Sequence, residues 1–163
     1  VAHGLPNLRS RKRAETILSE STAGRQTLRL NSTMESVEEI EAVAEKIAKE
    51  AGFDEDETFH ITMAVREAAV NAVLHGNEYD PAKHVTASFE ITGTDVIFTV
   101  GDEGKGVDPD SLPDPLAPEN LLRGTGRGIF LIRSFMDEVH FRQLHPGTEL
   151  TLIKHRRQVG ASS

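Results

Sequence analysis

The segment VTASFEIT, residues 85–92, alternates apolar and polar residues without a break. Side chains on an extended chain point to opposite faces with a period of two. Val85, Ala87, Phe89 and Ile91 therefore share one face, and Thr86, Ser88, Glu90 and Thr92 the other. Residues 96–100, VIFTV, continue the pattern after a short turn holding Gly93, which predicts antiparallel pairing. A strand with one apolar and one polar face predicts a sheet with helices on one side and water or a partner on the other.

The rest of the chain supplies those helices. Residues 26–31, QTLRLN, read as a short strand with Leu28 and Leu30 inward. Ser32 and Glu35 have capping-box spacing ahead of a helix that places Val37, Ile40, Ala44, Ile47 and Ala51 on one face and stops at Gly52. Asp54 and Glu57 mark a second helix start, with His75 at its end and Gly76 as its stop. Residues 102–128 hold nine glycines or prolines (Gly104, Gly106, Pro109, Pro113, Pro115, Pro118, Gly124, Gly126 and Gly128), so they read as a long loop. A third helix starts near Gly128, and strands follow from Glu138 and Thr148 with His145-Pro146-Gly147 between them. The expected fold class is α/β: an α+β two-layer sandwich, its sheet mixed but mostly antiparallel, in one domain over residues 26–157.

The chain has 163 residues, enough for one full core. It contains no cysteine, which removes disulfides, thiolate metal sites and thiol nucleophiles and suits the cytoplasmic location expected. No apolar run approaches the length of a membrane span. The net charge of −8 is uneven. Residues 1–25 carry Arg9, Arg11, Lys12, Arg13 and Arg25 against Glu15 and Glu20. The arm has no interleaved aromatics and the acidic remainder would repel a phosphate backbone, so a flexible arm is expected rather than nucleic-acid binding. A short tail is expected over residues 158–163.

Three local patterns carry chemistry. In REAAVNAVLHGN, residues 66–77, Glu67 and Asn71 stand four apart and so share a helix face. An amide oxygen is a hard neutral ligand suited to Mg²⁺, and a carboxylate one turn earlier can accept a proton. The pair also fits a polar stripe on a solvent-facing edge. In DEGKG, residues 102–106, Asp102 ends an apolar strand, where a carboxylate can accept from an exocyclic amine and glycines let a flat base approach. An ordinary acidic turn has the same letters. In GTGRG, residues 124–128, glycines lead into a helix whose free N–H groups suit phosphate oxygens, although a hinge would read alike. His75 lies at a helix C-terminus, where an imidazole is favourable, and no second histidine has ligand spacing to it.

The order of these patterns resembles the GHKL, or Bergerat, ATP-binding fold shared by histidine kinases, DNA gyrase and MutL. Within that set, REAAVNAVLHGN, DEGKGVD, DPLAPENLLRGTGRGIFLIRSFMDEV and PGTELTLIKH resemble the bacterial anti-sigma factor serine/threonine kinases of the RsbW and SpoIIAB type. The likeness spans about residues 26–155, and the stretch from Asp114 to Val139 discriminates best.

The resemblance implies a role for each matching position. Glu67 would be the catalytic base and Asn71 the Mg²⁺ ligand. Asp102 would bind the adenine amine, with Gly104 and Gly106 shaping the base pocket. Gly124, Gly126 and Gly128 would meet the triphosphate under a lid over residues 108–124, and Arg127 could reach a phosphate. Thr148 would support the adenine through water. The implied cofactors are ATP and Mg²⁺. The implied partners are a STAS-fold anti-anti-sigma protein and a sigma factor, with homodimerisation and no contact with nucleic acid or membrane. Phosphoryl transfer to a serine or threonine of the partner is the implied reaction. Three rivals remain open at this stage. A silent ATP-binding switch would keep the pocket without turnover. A sensor histidine kinase would add a phosphoacceptor helix, and a clamp ATPase would add a transducer domain.

Overall fold

The structure is a computed structural model and describes residues 16–22, 24–105 and 126–157. Six strands form one sheet: β1 (Thr16–Thr22), β2 (Arg25–Asn31), β3 (His84–Ile91), β4 (Asp95–Gly101), β5 (Glu138–Gln143) and β6 (Thr148–His155). Three helices cover one face: α1 (Met34–Glu50), α2 (Glu55–Val70) and α3 (Gly126–Phe135). A π-helical turn, Asn71–Gly76, extends α2.

The strand order is β1-β2-β3-β4-β6-β5. Every pairing among the described strands is antiparallel, rather than the mixed sheet expected. The reason is the connection between β2 and β3. Two helices, α1 down and α2 back, return the chain to the end of β2 it left, so β3 must run the other way.

Alternation decides what is buried. Leu28 and Leu30 of β2, Val85, Ala87 and Phe89 of β3, and Val96, Phe98 and Val100 of β4 all face the helices. Phe89 and Phe98 are register partners and meet edge to face, 6.1 Å apart at 86°. Such a pair adds about 0.5–1.5 kcal/mol beyond its buried area. Val37, Ile40, Ala44, Ile61, Ala64, Val65 and Ile132 fill the layer from the helical side. The small residues Ala68, Ala69 and Ala72 let the end of α2 lie close to the sheet.

The helix starts differ in detail from the capping boxes read in the sequence. Thr33, not Ser32, caps α1, accepting from the Ser36 N–H at 3.2 Å. Ser32 is buried and bonded elsewhere. Asp54 caps α2 as expected, accepting from the Glu57 N–H at 2.8 Å. Strand β1 lies within the segment read as an arm, so the sheet begins before residue 26. The expected tail at residues 158–163 and the loop at 108–124 lie outside the described residues.

Candidate functional site

The described chemistry-bearing residues form two groups, one at an end of the sheet and one between two helices. The C-terminal end of β4 delivers Asp102, and the N-terminal end of β6 delivers Thr148 beside it. The end of the π turn brings Gly76 over those strand ends, while Glu67 in the last turn of α2 and Asn71 at the start of the π turn stand further back along the same helix. The first turn of α3 brings Gly128 against Glu67 and Asn71.

Asp102 is 7% exposed and tightly held. One carboxylate oxygen, Oδ2, accepts from the Thr148 hydroxyl at 2.7 Å. The other, Oδ1, accepts from the Gly104 N–H at 2.9 Å. Its own N–H donates to the Thr148 carbonyl at 2.9 Å. Each oxygen keeps lone-pair capacity, so the fixed carboxylate can accept one more donor without losing these bonds.

Two close approaches explain glycines here. A Cβ at Gly76 would run into the Asp102 carboxylate, and a Cβ at Gly104 would run into the Gly76 backbone. The π turn and the Asp102–Gly104 turn thus pack backbone against backbone, which only glycine permits. Gly147, in the turn before Thr148, lies equally close to the Asp102 carbonyl.

The second half of the site is the acid–amide pair. A Cβ at Gly128 would lie 2.9 Å from Glu67 Oε2 and 3.5 Å from the Asn71 amide atoms. Both side chains therefore point at the start of α3. Asn71 Nδ2 is buried and has no hydrogen-bond partner. A buried unpaired amide atom costs about 1–3 kcal/mol unless a bound group supplies its partner. An Asn amide with an unspent polar atom facing the start of α3 can offer its N–H to a phosphate oxygen or its carbonyl oxygen to a hard cation. The first-turn N–H groups of α3 add the positive end of its dipole at the same place. The π turn that begins at Asn71 also fits a ligand site, since π-helical insertions concentrate at such places.

Of the residues singled out in the sequence, the structure brings together Glu67, Asn71 and Gly128 in one group and Asp102, Gly104 and Thr148 in another, joined through Gly76. Gly126 and Arg127 lie in the first turn of α3. Gly106 and Gly124 lie outside the described residues. His75 is exposed on the π turn. A separate concavity of about 550 Å³ opens on the uncovered face of the sheet between Thr27, Ser88, Thr99 and Arg142. It touches Asp102, but neither Glu67 nor Asn71 lines it.

Sequence reasoning missed Asn77, Glu103 and Ser32. Asn77 accepts from the Glu103 N–H at 2.8 Å and donates to Ser32 Oγ at 2.8 Å. Glu103 Oε1 accepts from the His84 N–H at 2.5 Å. The only signal was the Asn that follows His75-Gly76, which carries no pattern of its own.

An acid–amide helix, a carboxylate held at a strand end and a glycine-started helix thus occur together on one antiparallel sheet. Residues 30–154 match the model of the histidine kinase-like ATPase domain, and the chain belongs to that family. It is 39% identical over 105 residues to the anti-sigma F factor of Anoxybacillus flavithermus, covering 61% of this chain and 70% of that protein. It is 29% identical over 143 residues to the serine-protein kinase RsbW of Staphylococcus epidermidis, covering 83% and 89%. To the serine-protein kinase RsbW of Bacillus subtilis it is 31% identical over 116 residues, covering 67% and 71%.

Proposed function

We propose that this chain is an ATP-dependent serine/threonine protein kinase and anti-sigma factor. It phosphorylates a STAS-type anti-anti-sigma protein and sequesters a sigma factor. The names of its relatives and its membership of the ATPase family support that reading. The observation that carries the chemistry is the convergence of Glu67 and Asn71 on Gly128, with Asp102 locked beneath the same π turn.

Asp102 accepts a hydrogen bond from the exocyclic amine of adenine, and Thr148 holds the carboxylate in place for it. Gly104 shapes the base pocket by letting the Asp102 turn close on Gly76, and Gly106 would give the flat base room. Gly124, Gly126 and Gly128 offer backbone N–H groups to the phosphates, and Arg127 adds a cation. Asn71 binds Mg²⁺. Among the described residues no cluster of three or more His, Asp or Glu side chains could hold a metal alone. Magnesium keeps several waters, so one amide oxygen is the ligand this chain would supply. When bound, the ion neutralises charge on the phosphates.

Glu67 takes the proton of the attacking serine or threonine hydroxyl. The hydroxyl oxygen bonds to the γ-phosphorus, the bond from that phosphorus to the β-bridging oxygen breaks, and ADP leaves with the electron pair. Positioning and charge neutralisation supply most of such catalysis. No described helix is long and apolar enough to cross a membrane. By the family resemblance we infer a cytoplasmic homodimer.

The test is transfer of labelled γ-phosphate to a purified STAS protein encoded in the same cell. Labelled phosphoserine or phosphothreonine on that protein, lost in Glu67→Gln, supports the proposal. Binding of ATP without transfer to any such partner would instead favour a silent nucleotide switch.

A further inference from the structure

Asn77 is 0% exposed. Asparagine is mostly a surface residue, and a buried amide must have its bonds made inside the protein. Here they run to three separate segments. Nδ2 donates to Ser32 Oγ at 2.8 Å and to the His84 carbonyl at 3.0 Å. Oδ1 accepts from the Glu103 N–H at 2.8 Å. Ser32 Oγ in turn donates to the Lys83 carbonyl at 2.6 Å. The Asn77 backbone N–H donates to the Ala72 carbonyl at 2.8 Å, at the end of the π turn.

The direction of this network matters more than its size. Glu103 follows Asp102 directly, so the bond to its N–H fixes the peptide that carries the Asp102 carbonyl. Gly76 precedes Asn77 directly and lies against the Asp102 carboxylate. Two consecutive residues thus act on one turn, Gly76 by contact and Asn77 by a hydrogen bond. A slack turn would let the carboxylate drift relative to Thr148 and Gly104, which hold its two oxygens. Asn77 itself has no surface with which to touch a ligand.

We propose that Asn77 is a positioning residue for base selection, holding the Glu103 N–H so that the Asp102 carboxylate stands where an exocyclic amine must meet it. The proposal rests on the reading of Asp102 as the base ligand. Ser32 is the next link in the same chain and acts through Asn77.

The probes are Mg·ATP and Mg·inosine triphosphate, which carry the same triphosphate but differ at purine position 6, an amine in one and a carbonyl in the other. A carboxylate accepts from the amine and faces the carbonyl oxygen with nothing to donate. The wild-type protein is expected to prefer ATP by about tenfold or more, the scale of one hydrogen bond to a charged group. In Asn77→Ala, ATP affinity falls by about tenfold while inosine triphosphate affinity changes by less than about threefold, so the preference collapses. A general loss of folded protein lowers both affinities together and leaves their ratio alone.

An unchanged ratio in a folded Asn77→Ala protein overturns the proposal. If that variant does not fold, Ser32→Ala decides: a smaller drop in preference supports the proposal and an unchanged preference overturns it. A wild-type protein that binds both nucleotides equally well refutes the assignment of Asp102 itself, and the positioning role with it.

Discussion

Gly128 and Glu67 stand so close that a methyl group on the glycine would lie 2.9 Å from a carboxylate oxygen of the acid. The two belong to different helices, α3 and α2, and their contact places the proposed base at the start of the helix proposed to hold phosphate. It makes the position at residue 128 a sensor of active-site geometry rather than of stability.

Gly128→Ala should therefore separate function from folding. Alanine is favoured over glycine by up to about 1 kcal/mol in a helix interior and by less in the first turn, where Gly128 lies. The atom it meets is the free end of a flexible side chain, which can swing aside at small cost to the fold. Glu67 then leaves its place. The expected result is a melting temperature within a few degrees of wild type and phosphotransfer down by tenfold or more, roughly the penalty for a misplaced reacting group. Equal activity in the two proteins would show that Glu67 tolerates displacement.

Glu67→Gln keeps the shape and removes the basicity. Phosphotransfer should fall by about 10²–10⁴-fold, the usual contribution of a positioned general base, with ATP affinity nearly unchanged. Asn71→Ala should do the opposite, weakening ATP binding in magnesium and making affinity indifferent to whether magnesium or a chelator is present. Calorimetry with and without EDTA measures both.

How much of this was legible in the sequence differs from element to element. Strands β3 and β4 were legible because their alternation is unbroken, and α2 because Asp54 caps it. Strand β1 was not. Its sequence, TILSEST, sets Ile17 beside Leu18, and the register with β2 shifts between Thr16 and Leu18, so the period of two is interrupted where a reader would look for it. Ser32 was read as the α1 cap because it fits the capping pattern, yet its hydroxyl serves the Lys83 carbonyl instead. Contacts between segments 45 residues apart, such as Asn77 with Ser32, leave no local periodicity and became visible only in the fold. The acid–amide spacing was legible in the residues themselves, whereas its convergence on Gly128 followed only from the family resemblance, because it depends on how α3 crosses α2.

Thr148→Val tests the support given to Asp102. Valine matches threonine in shape but cannot donate, so Asp102 Oδ2 loses its 2.7 Å bond. Hydrogen bonds to charged groups contribute about 1.5–3 kcal/mol. ATP affinity should drop by roughly tenfold or more on that scale, with transfer from bound ATP little changed. A drop in turnover with unchanged affinity would move Thr148 out of the base pocket.

At the opposite end of β4 and β6, Asp95 Oδ1 and His155 Nδ1 are 2.6 Å apart. The bond to Asp95 raises the His155 pKa above the ordinary 6.5, outweighing partial desolvation, with Asp137 and Glu138 adding to the rise. The same bond, helped by Thr94, lowers the Asp95 pKa below the ordinary 3.8. The raised histidine contributes fully below its unfolded value and loses its contribution as pH climbs through its folded value. The lowered aspartate contributes above its unfolded value and loses its contribution as pH falls through its folded value. The clasp therefore holds between those two folded values. An NMR titration should find the His155 ring protons shifting with a pKa above 6.5 in wild type and closer to 6.5 in Asp95→Asn. Identical values in the two proteins would contradict the pairing.

The most direct test of the central claim is a crystal structure with magnesium and a non-hydrolysable ATP analogue. The adenine amine should lie within hydrogen-bond distance of Asp102, and the triphosphate should run between Asn71 and the start of α3, with the metal on the Asn71 oxygen. A nucleotide found elsewhere, or none bound at saturating concentration with Glu67 and Asn71 facing an empty cleft, would contradict it.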